Sequence, residues 1–358
     1  MRSIAFHNRE TEMKEIMRIL NTEPTLITFI YGPINSGKTE LINHLIKKLP
    51  EEYVVFYINL RTKFLASYDD FIESLFEMEI KETKKKETLK ELVSSVTKAA
   101  GIPINREFLD YVFKDKKPKN AFSYIIKLFE EVKNAGKHPV LILDELQKIG
   151  DLKVNGLLIY ELFNFFIDLT KEKHLAHVFV ITSDSLFIEQ VFNEAMLQER
   201  CRYLLVDDFD KSTAIKFLDK HKFSNTEKEV AWNYCGGKPV CLVELVNSEK
   251  REEKAKEMLR IRRGQINQRI ELLKIVRKKI LFEGEEIEIK YDDVIKILGK
   301  FSEDENYEYV GIMPDVTYLV KENILFVDPV KGIIKPQSRL NLLAIREILH
   351  KSDVNWIK

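Results

Sequence analysis

Eight consecutive residues, Gly32, Pro33, Ile34, Asn35, Ser36, Gly37, Lys38 and Thr39, follow the pattern G-x-x-x-x-G-K-[ST] without a gap. The pattern encodes phosphate binding. Its glycines let the backbone curl so that N–H groups face phosphate oxygens, and a helix starting at Lys38 adds its positive N-terminal end. Lys38 is then the cation for the β and γ phosphates, and the Thr39 hydroxyl a ligand for Mg²⁺. About 100 residues on, Val140-Leu141-Ile142-Leu143 runs into Asp144-Glu145. An apolar strand of that kind sets Asp144 at its C-terminal edge, beside a phosphate loop. There Asp144 supports the Mg²⁺ shell, and Glu145 polarises an attacking water. The two clusters predict ATP with Mg²⁺ as the ligands and ATP + H₂O to ADP + phosphate as the reaction. A glutamate at that position favours hydrolysis over a small-molecule kinase. No N-K-x-D segment occurs, which disfavours GTP.

Five short apolar runs must position these residues: TLITFIYG (25–32), YVVFYINL (53–60), HPVLILDE (138–145), HVFVITSDS (177–185) and RYLLVDDF (202–209). Between them lie helical patterns. Residues 8–20 carry Met13, Ile16, Met17 and Leu20 at helical spacing, with Asn8 suited to the N-cap. Further helices are expected at 38–49, through most of 68–136, and at 157–170, with a charged stretch at 81–90 and a Pro- and Lys-containing segment near 101–120. Strands apolar on both faces that alternate with helices define a parallel sheet covered on both sides. The predicted fold is α/β, a three-layer P-loop NTPase core at 1–207, followed by a helical lid at 208–258 and a winged-helix-like domain at 259–358. The strand-like pair 323–329 and 331–336 carries the last assignment.

The bulk properties set the outer limits. With 358 residues, 45% of them hydrophobic, the chain is long enough for two to three domains and a sizeable core. Lys and Arg total 57, as do Asp and Glu, so no global field draws the chain to nucleic acid or membrane. Cys201, Cys235 and Cys241 match no zinc spacing and fit a reducing compartment. No apolar run reaches the roughly 18–20 residues of a membrane helix, and residues 1–4 lead into charge rather than a signal core. The expected location is cytoplasmic.

Four segments taken together, Phe6-His7-Asn8-Arg9-Glu10-Thr11-Glu12, the phosphate loop, Asp144-Glu145-Leu146-Gln147 and Gly236-Gly237-Lys238-Pro239, resemble the archaeal ATPase family, a STAND-like branch of P-loop NTPases related to AAA+ proteins. The resemblance covers roughly residues 4–250. It implies that Asn8 and Arg9 lie near the adenine and ribose, that Thr182 and Ser183 feel the γ-phosphate, and that Pro239 packs on the adenine. It also implies an arginine finger or sensor at Arg200, although Glu199 stands where the family often has glycine. Ile34-Asn35 departs from the arginine pair common in relatives, and no counterpart of the nuclease-like domain of some relatives is evident, so no nuclease activity is expected. Plainer readings stay open. Thr182 and Ser183 suit a turn cap, Arg200 a salt bridge with Arg202 as its rival, Gly236-Gly237 a helix end, and Gln147 a solvated helix position.

The tail leaves two partners open. Residues 248–280 hold twelve Lys or Arg against five Asp or Glu, and residues 281–310 ten acidic against three basic residues. The expected third helix of the winged-helix unit, near 315–322, is neutral and offers no Arg, Gln or Asn row for base edges. Lys331, Lys335 and Arg339 supply a few phosphate contacts at most. The neutral helix points to a nucleotide-dependent switch with a protein partner. The basic stretch points to a DNA-dependent ATPase. A homo-oligomer is compatible with either, and no membrane role is expected.

Overall fold

The computed structural model describes residues 4, 6–61, 63, 65–78, 98–99, 101–104, 112, 118–149 and 158–355. The charged stretch 81–90 and most of the segment near 101–120 lie outside them. The five apolar runs become one parallel sheet of β1 (Ile27–Tyr31), β2 (Tyr53–Asn59), β3 (His138–Asp144), β4 (His177–Thr182) and β5 (Cys201–Leu205). Their order is β2-β3-β4-β1-β5, with a two-residue strand, Lys98–Ala99, outside β2. Every residue of β1 and β4 is buried, as a strand covered on both faces requires. Alternate side chains serve opposite layers. In β3, Leu141 and Leu143 join Phe129, Phe163 and Phe166 on one face. Val140 and Ile142 join Ile16, Leu41 and Leu45 on the other, where α1 (Glu10–Leu20) and α2 (Lys38–Lys48) lie. The strand order reverses beside β1, and the crevice at the C-terminal ends there is where such sheets bind ligands.

Two local expectations are corrected. Asn8 does not cap α1. Asn8 (φ 60°) and Arg9 (φ 75°) are both left-handed, so the chain turns sharply before the helix, and Asn8 Nδ2 donates instead to Thr213 Oγ1 at 2.8 Å. The region 68–136 is helical at Tyr68–Leu75 and Pro118–Asn134, but the short strands Phe76–Met78 and Ile102–Ile104 pair between them.

Three helices follow the sheet: α3 (Lys211–Lys220), α4 (Asn225–Cys235) and α5 (Pro239–Val246). Next comes α6 (Arg251–Leu272), one unbroken helix that runs straight through the expected boundary at 258/259. Its buried residues, Ala255, Leu259, Ile266 and Ile270, form a thin stripe among charges, which the charge run conceals in the sequence. The C-terminal domain adds β6 (Lys279–Phe282), β7 (Glu285–Glu288), α7 (Tyr291–Gly299), β8 (Tyr307–Glu308), α8 (Pro314–Lys321), β9 (Leu325–Asp328), β10 (Ile333–Pro336) and α9 (Arg339–Asn355). β9 and β10 are the expected antiparallel pair.

This domain is keyed into the core at the end of β1, one residue before the phosphate loop. Phe326 of β9 belongs to the apolar cluster of the sheet and stacks on Tyr31 with ring centroids 6.5 Å apart. Burying a side chain of that size contributes about 1.5–3 kcal/mol. Tyr31 Oη donates to Asp328 Oδ1 at 2.8 Å, the Val327 N–H donates to Ser185 Oγ at 3.2 Å, and Lys335 pairs with Asp207 at 2.6 Å. Burial and the Asp328 charge push the Tyr31 phenol upward, so it stays a proton donor.

Candidate nucleotide site

The phosphate loop hangs between the ends of β1 and β5. Val206 donates its N–H to Tyr31 O at 2.7 Å. A Cβ on Gly32 would stand 2.2 Å from Val206 O, so only glycine fits. Asn35 (φ 59°) and Gly37 (φ 95°) complete the curl into α2. Lys38 is buried, and its Nζ donates to Gly32 O at 2.9 Å and Pro33 O at 2.8 Å. Burial pushes its ammonium down to about 7, helped by the nearby charge of Lys238.

At the end of β3, Asp144 Oδ2 accepts from Thr39 Oγ1 at 2.9 Å and from Tyr57 Oη at 3.0 Å. Its other oxygen, Oδ1, is buried with no hydrogen-bond partner among the described residues. Burial raises the carboxyl's pKa, while the Thr39 and Tyr57 bonds lower it. Glu145 follows in the left-handed conformation (φ 64°), a strain that persists only where surrounding structure holds it. Its N–H donates to Ile181 O at 2.8 Å. Its carboxylate pairs with Arg61 and accepts from Gln147 Nε2 at 2.6 Å, and Gln147 Oε1 accepts from Thr182 Oγ1 at 2.8 Å. A chain of contacts therefore runs Arg61–Glu145–Gln147–Thr182 across three neighbouring strands. Thr182 also accepts the Asp184 N–H at 3.0 Å, so it caps the turn as well. Ser183 lines the same cavity, of roughly 420 Å³, together with Asn35, Glu145, Lys321 and Gln337.

The other side of the loop is held by the N-terminal segment and the lid. Arg9 is buried, donates to Ser36 O at 2.6 Å and Asp207 O at 2.7 Å, and lies 4.7 Å from the Phe209 ring. In Gly236-Gly237-Lys238-Pro239 the residue that reaches the loop is Lys238. It donates to Ile34 O at 3.0 Å and pairs with Asp208 at 2.9 Å, while Pro239 opens α5. Gly237 allows this approach: a Cβ there would stand 1.7 Å from Phe209 O. Gly237→Ala is expected to cost about 2–3 kcal/mol, seen as a lower melting temperature. Gly264→Ala, where a Cβ meets nothing within 4 Å, is the control and should not lower it.

Arg200 is not brought to the site. Its backbone carbonyl accepts from Ile27 N–H at 3.0 Å, at the start of β1, and its Nη1 donates to Met196 O at 2.9 Å. The phosphate loop leaves the other end of that strand, about 13 Å away at 3.3 Å per residue. A sensor role within the same chain is thereby corrected. Arg202, its rival, lies opposite Thr28, still in the N-terminal half of β1 and three residues short of Tyr31, after which the loop begins. The sequence reading passed over Arg61, Tyr57, Lys238 and Gln337. For Arg61 and Tyr57 a signal existed: β2 pairs with β3 so that Asn59 lies opposite Asp144, and residues at that end of β2 had to face the site.

A glycine-bearing phosphate loop between a parallel strand and a helix, faced by Asp144-Glu145 and closed by a helical lid, defines a P-loop ATP-binding protein. The chain matches a family model described as an ATPase domain predominantly from Archaea over residues 6–245, and one described as the C-terminal domain of MJ1010-like uncharacterized ATP-binding proteins over residues 252–349. It belongs to this archaeal ATPase family. It is 51% identical over 349 residues to an uncharacterized ATP-binding protein of Pyrococcus abyssi, covering 96% of this chain and 98% of the relative. It is 47% identical over 364 residues to an uncharacterized ATP-binding protein of Methanocaldococcus jannaschii, covering 97% and 98%. Among solved structures it is similar to the Walker-type ATPase of Pyrococcus abyssi, with TM-score 0.62, 18% identity and coverage of 95% and 96%. That likeness shows the fold, an α/β P-loop core followed by helices and a small C-terminal domain with antiparallel strands. Among the described residues no helix is long and apolar enough to cross a membrane.

Proposed function

We propose that the chain hydrolyses ATP with Mg²⁺ and works as a nucleotide-dependent switch, its C-terminal domain reporting the state of the phosphate loop to a protein partner. One observation carries the switch reading. Gln337, a buried side chain of the C-terminal domain, accepts the N–H of Ile34 at 3.2 Å and donates to Leu325 O at 3.4 Å. A phosphate arriving at the loop acts on that bond directly, and through Leu325 on β9, the strand that docks the domain. A switch needs such an element with differential contacts in two states.

In this reading Lys38 binds the β and γ phosphates and the loop N–H groups cradle them. Thr39 and Asp144 fit a divalent cation. The buried, unpartnered Asp144 Oδ1 beside the Thr39 hydroxyl is an acceptor set awaiting a positive charge. Mg²⁺ when bound neutralises charge developing on the phosphate oxygens. Glu145 orients the attacking water, Gln147, itself bonded to Thr182, holds its carboxylate, and Thr182 and Ser183 sense the γ-phosphate. Asn8 and Arg9 lie on the base side with Pro239 at the lid. Arg200 is left only an action across an interface between copies.

The DNA-dependent reading finds less support. Arg262 donates to Asn341 Oδ1 and Asn323 O, Arg263 pairs with Glu347 and Arg269 with Glu322, so α6 spends these cations inside the fold. In α8, residues 316–320 are all buried, leaving no free face for a groove. The test has two parts. Steady-state ATP hydrolysis should be slow and unmoved by single-stranded, duplex or branched DNA at two salt concentrations. Hydrogen exchange over 325–337 should differ between ADP and a slowly hydrolysed ATP analogue, and Gln337→Ala should erase the difference. A many-fold stimulation by DNA that fades with salt would replace the switch with a DNA-dependent ATPase.

A further inference from the structure

We infer that Lys321, from the C-terminal domain, is the cation that meets the γ-phosphate, an inference that rests on the ATP reading above. The cavity of roughly 420 Å³ beside the phosphate loop has walls from both domains. Asn35, Glu145 and Ser183 belong to the core, and Lys321, Asn323 and Gln337 to the C-terminal domain. A terminal phosphate held by Lys38 and Thr39 would extend beyond the loop toward Glu145, the residue that orients its attacking water. The charges there leave one gap. Glu145 is buried and already paired with Arg61. Asp184 lines the cavity too, and burial raises its pKa, while Lys321 and Glu145 act on its charge with opposite signs. Its Oδ1 caps the next helix, accepting the N–H groups of Leu186 at 3.0 Å and Phe187 at 3.2 Å. A γ-phosphate entering this cavity therefore adds negative charge to acidic walls. Among the described residues the cations on those walls are Arg61 and Lys321. Arg61 is spent on Glu145, whereas Lys321 has no ion pair or side-chain hydrogen bond among the described residues.

A lysine in the last turn of a helix is ordinary, since it complements the helix dipole, and Lys321 ends α8. Its placement at this cavity is not ordinary, because several contacts fix it there. The Val327 N–H donates to Ser185 Oγ at 3.2 Å, and the Ile34 N–H donates to Gln337 Oε1 at 3.2 Å. Leu186 packs against the apolar cluster of the C-terminal domain that contains Leu319 and Val320. The turn after Lys321 is held as well, with Asn323 O accepting from Arg262 Nη2 at 2.6 Å and from Asn341 Nδ2 at 2.9 Å. The cation is thus carried by a docked domain. An ammonium on a flexible stem suits a single phosphate oxygen. ATP would tie this domain to the core through a contact that ADP cannot make, which is the differential contact a switch needs. Lys321 also fills the place that Arg200, at the other end of the sheet, does not.

Equilibrium binding of a slowly hydrolysed ATP analogue and of ADP to the full chain, with Mg²⁺ present, tests this. Lys321→Ala is expected to weaken the analogue by about ten-fold or more and to leave ADP unchanged. The kcat at saturating ATP should fall by a similar factor, because the same cation meets charge developing on the γ-oxygens. Lys321→Arg should restore most of the preference for the analogue. The melting temperature of Lys321→Ala without nucleotide should stay at the parent value. Lys279→Ala, a lysine of the same domain outside the cavity, should change none of these quantities. If Lys321→Ala keeps the parent preference between analogue and ADP, the inference is overturned and hydrolysis through Glu145 still stands. A variant that weakens both nucleotides alike overturns it too, since the loss is then structural. A parent that prefers the analogue through Lys321 but never turns ATP over upholds the inference and removes the hydrolysis reading instead.

Discussion

Glu145→Gln is expected to leave ATP binding intact and to slow turnover by at least about 100-fold. The substitution keeps the shape and one acceptor oxygen of the side chain and removes its charge. Phosphate and base contacts belong to other residues, so affinity has no reason to fall. Affinity should rise slightly, because one negative charge leaves the neighbourhood of the γ-phosphate. The carboxylate does not stand alone. Arg61 and Gln147 grip it, and Arg61 is largely exposed while Glu145 is buried. Released from Arg61, the carboxylate would be free to take a water proton; gripped, it is held as an ion pair. Equilibrium binding of a fluorescent ATP analogue, set beside single-turnover hydrolysis, separates the two quantities. A Gln variant that turns over at the parent rate would remove Glu145 from the chemistry and leave water activation to Asp144 or to the phosphate itself.

The parts legible in the sequence were those whose signal is local. Apolar runs bounded by Gly, Asn or Asp gave all five long strands, because a strand buried on both faces has no choice of composition. The phosphate loop and Asp144-Glu145 could be read because their chemistry fixes residue types at fixed spacing. What could not be read arrives by tertiary contact. Gln337 reaches the loop from 303 positions away, and nothing in its neighbourhood, Lys335-Pro336-Gln337-Ser338, announces it. Lys238 was hidden by its neighbours, since the glycines and proline around it drew the inference to the backbone. Phe326 reads as one more apolar residue of the tail, yet it packs into the other domain's core. Arg200 is a different kind of miss. A residue that precedes a parallel strand enters the sheet at its N-terminal edge, and the phosphate loop lies at the C-terminal edge, so strand direction alone argued against a role within the same chain.

Lys38→Ala is expected to weaken ATP binding by on the order of 100–1,000-fold, and the pH behaviour of Lys38 says why. The ammonium is surrounded by carbonyls of its own loop and desolvated, which brings it down to about 7 from the 10.5 of a free lysine. The sign of the linkage follows. Between about 7 and 10.5 the unfolded chain keeps this proton and the folded chain does not, so stability gains with rising pH in that window, and the cost of burying the charge is fully present below it. ATP reverses the balance. Two phosphates beside the amine favour its charged form, so binding at pH 8 should take up a proton, and affinity should fall as pH rises above 7. Titration calorimetry at pH 8 in two buffers of different ionisation enthalpy reads that proton directly, and Lys38→Met should show none of it. If affinity instead held constant from pH 7 to 9 with no uptake, Lys38 would be charged throughout, and the loop would be holding a full ammonium against its own carbonyls before any phosphate arrives.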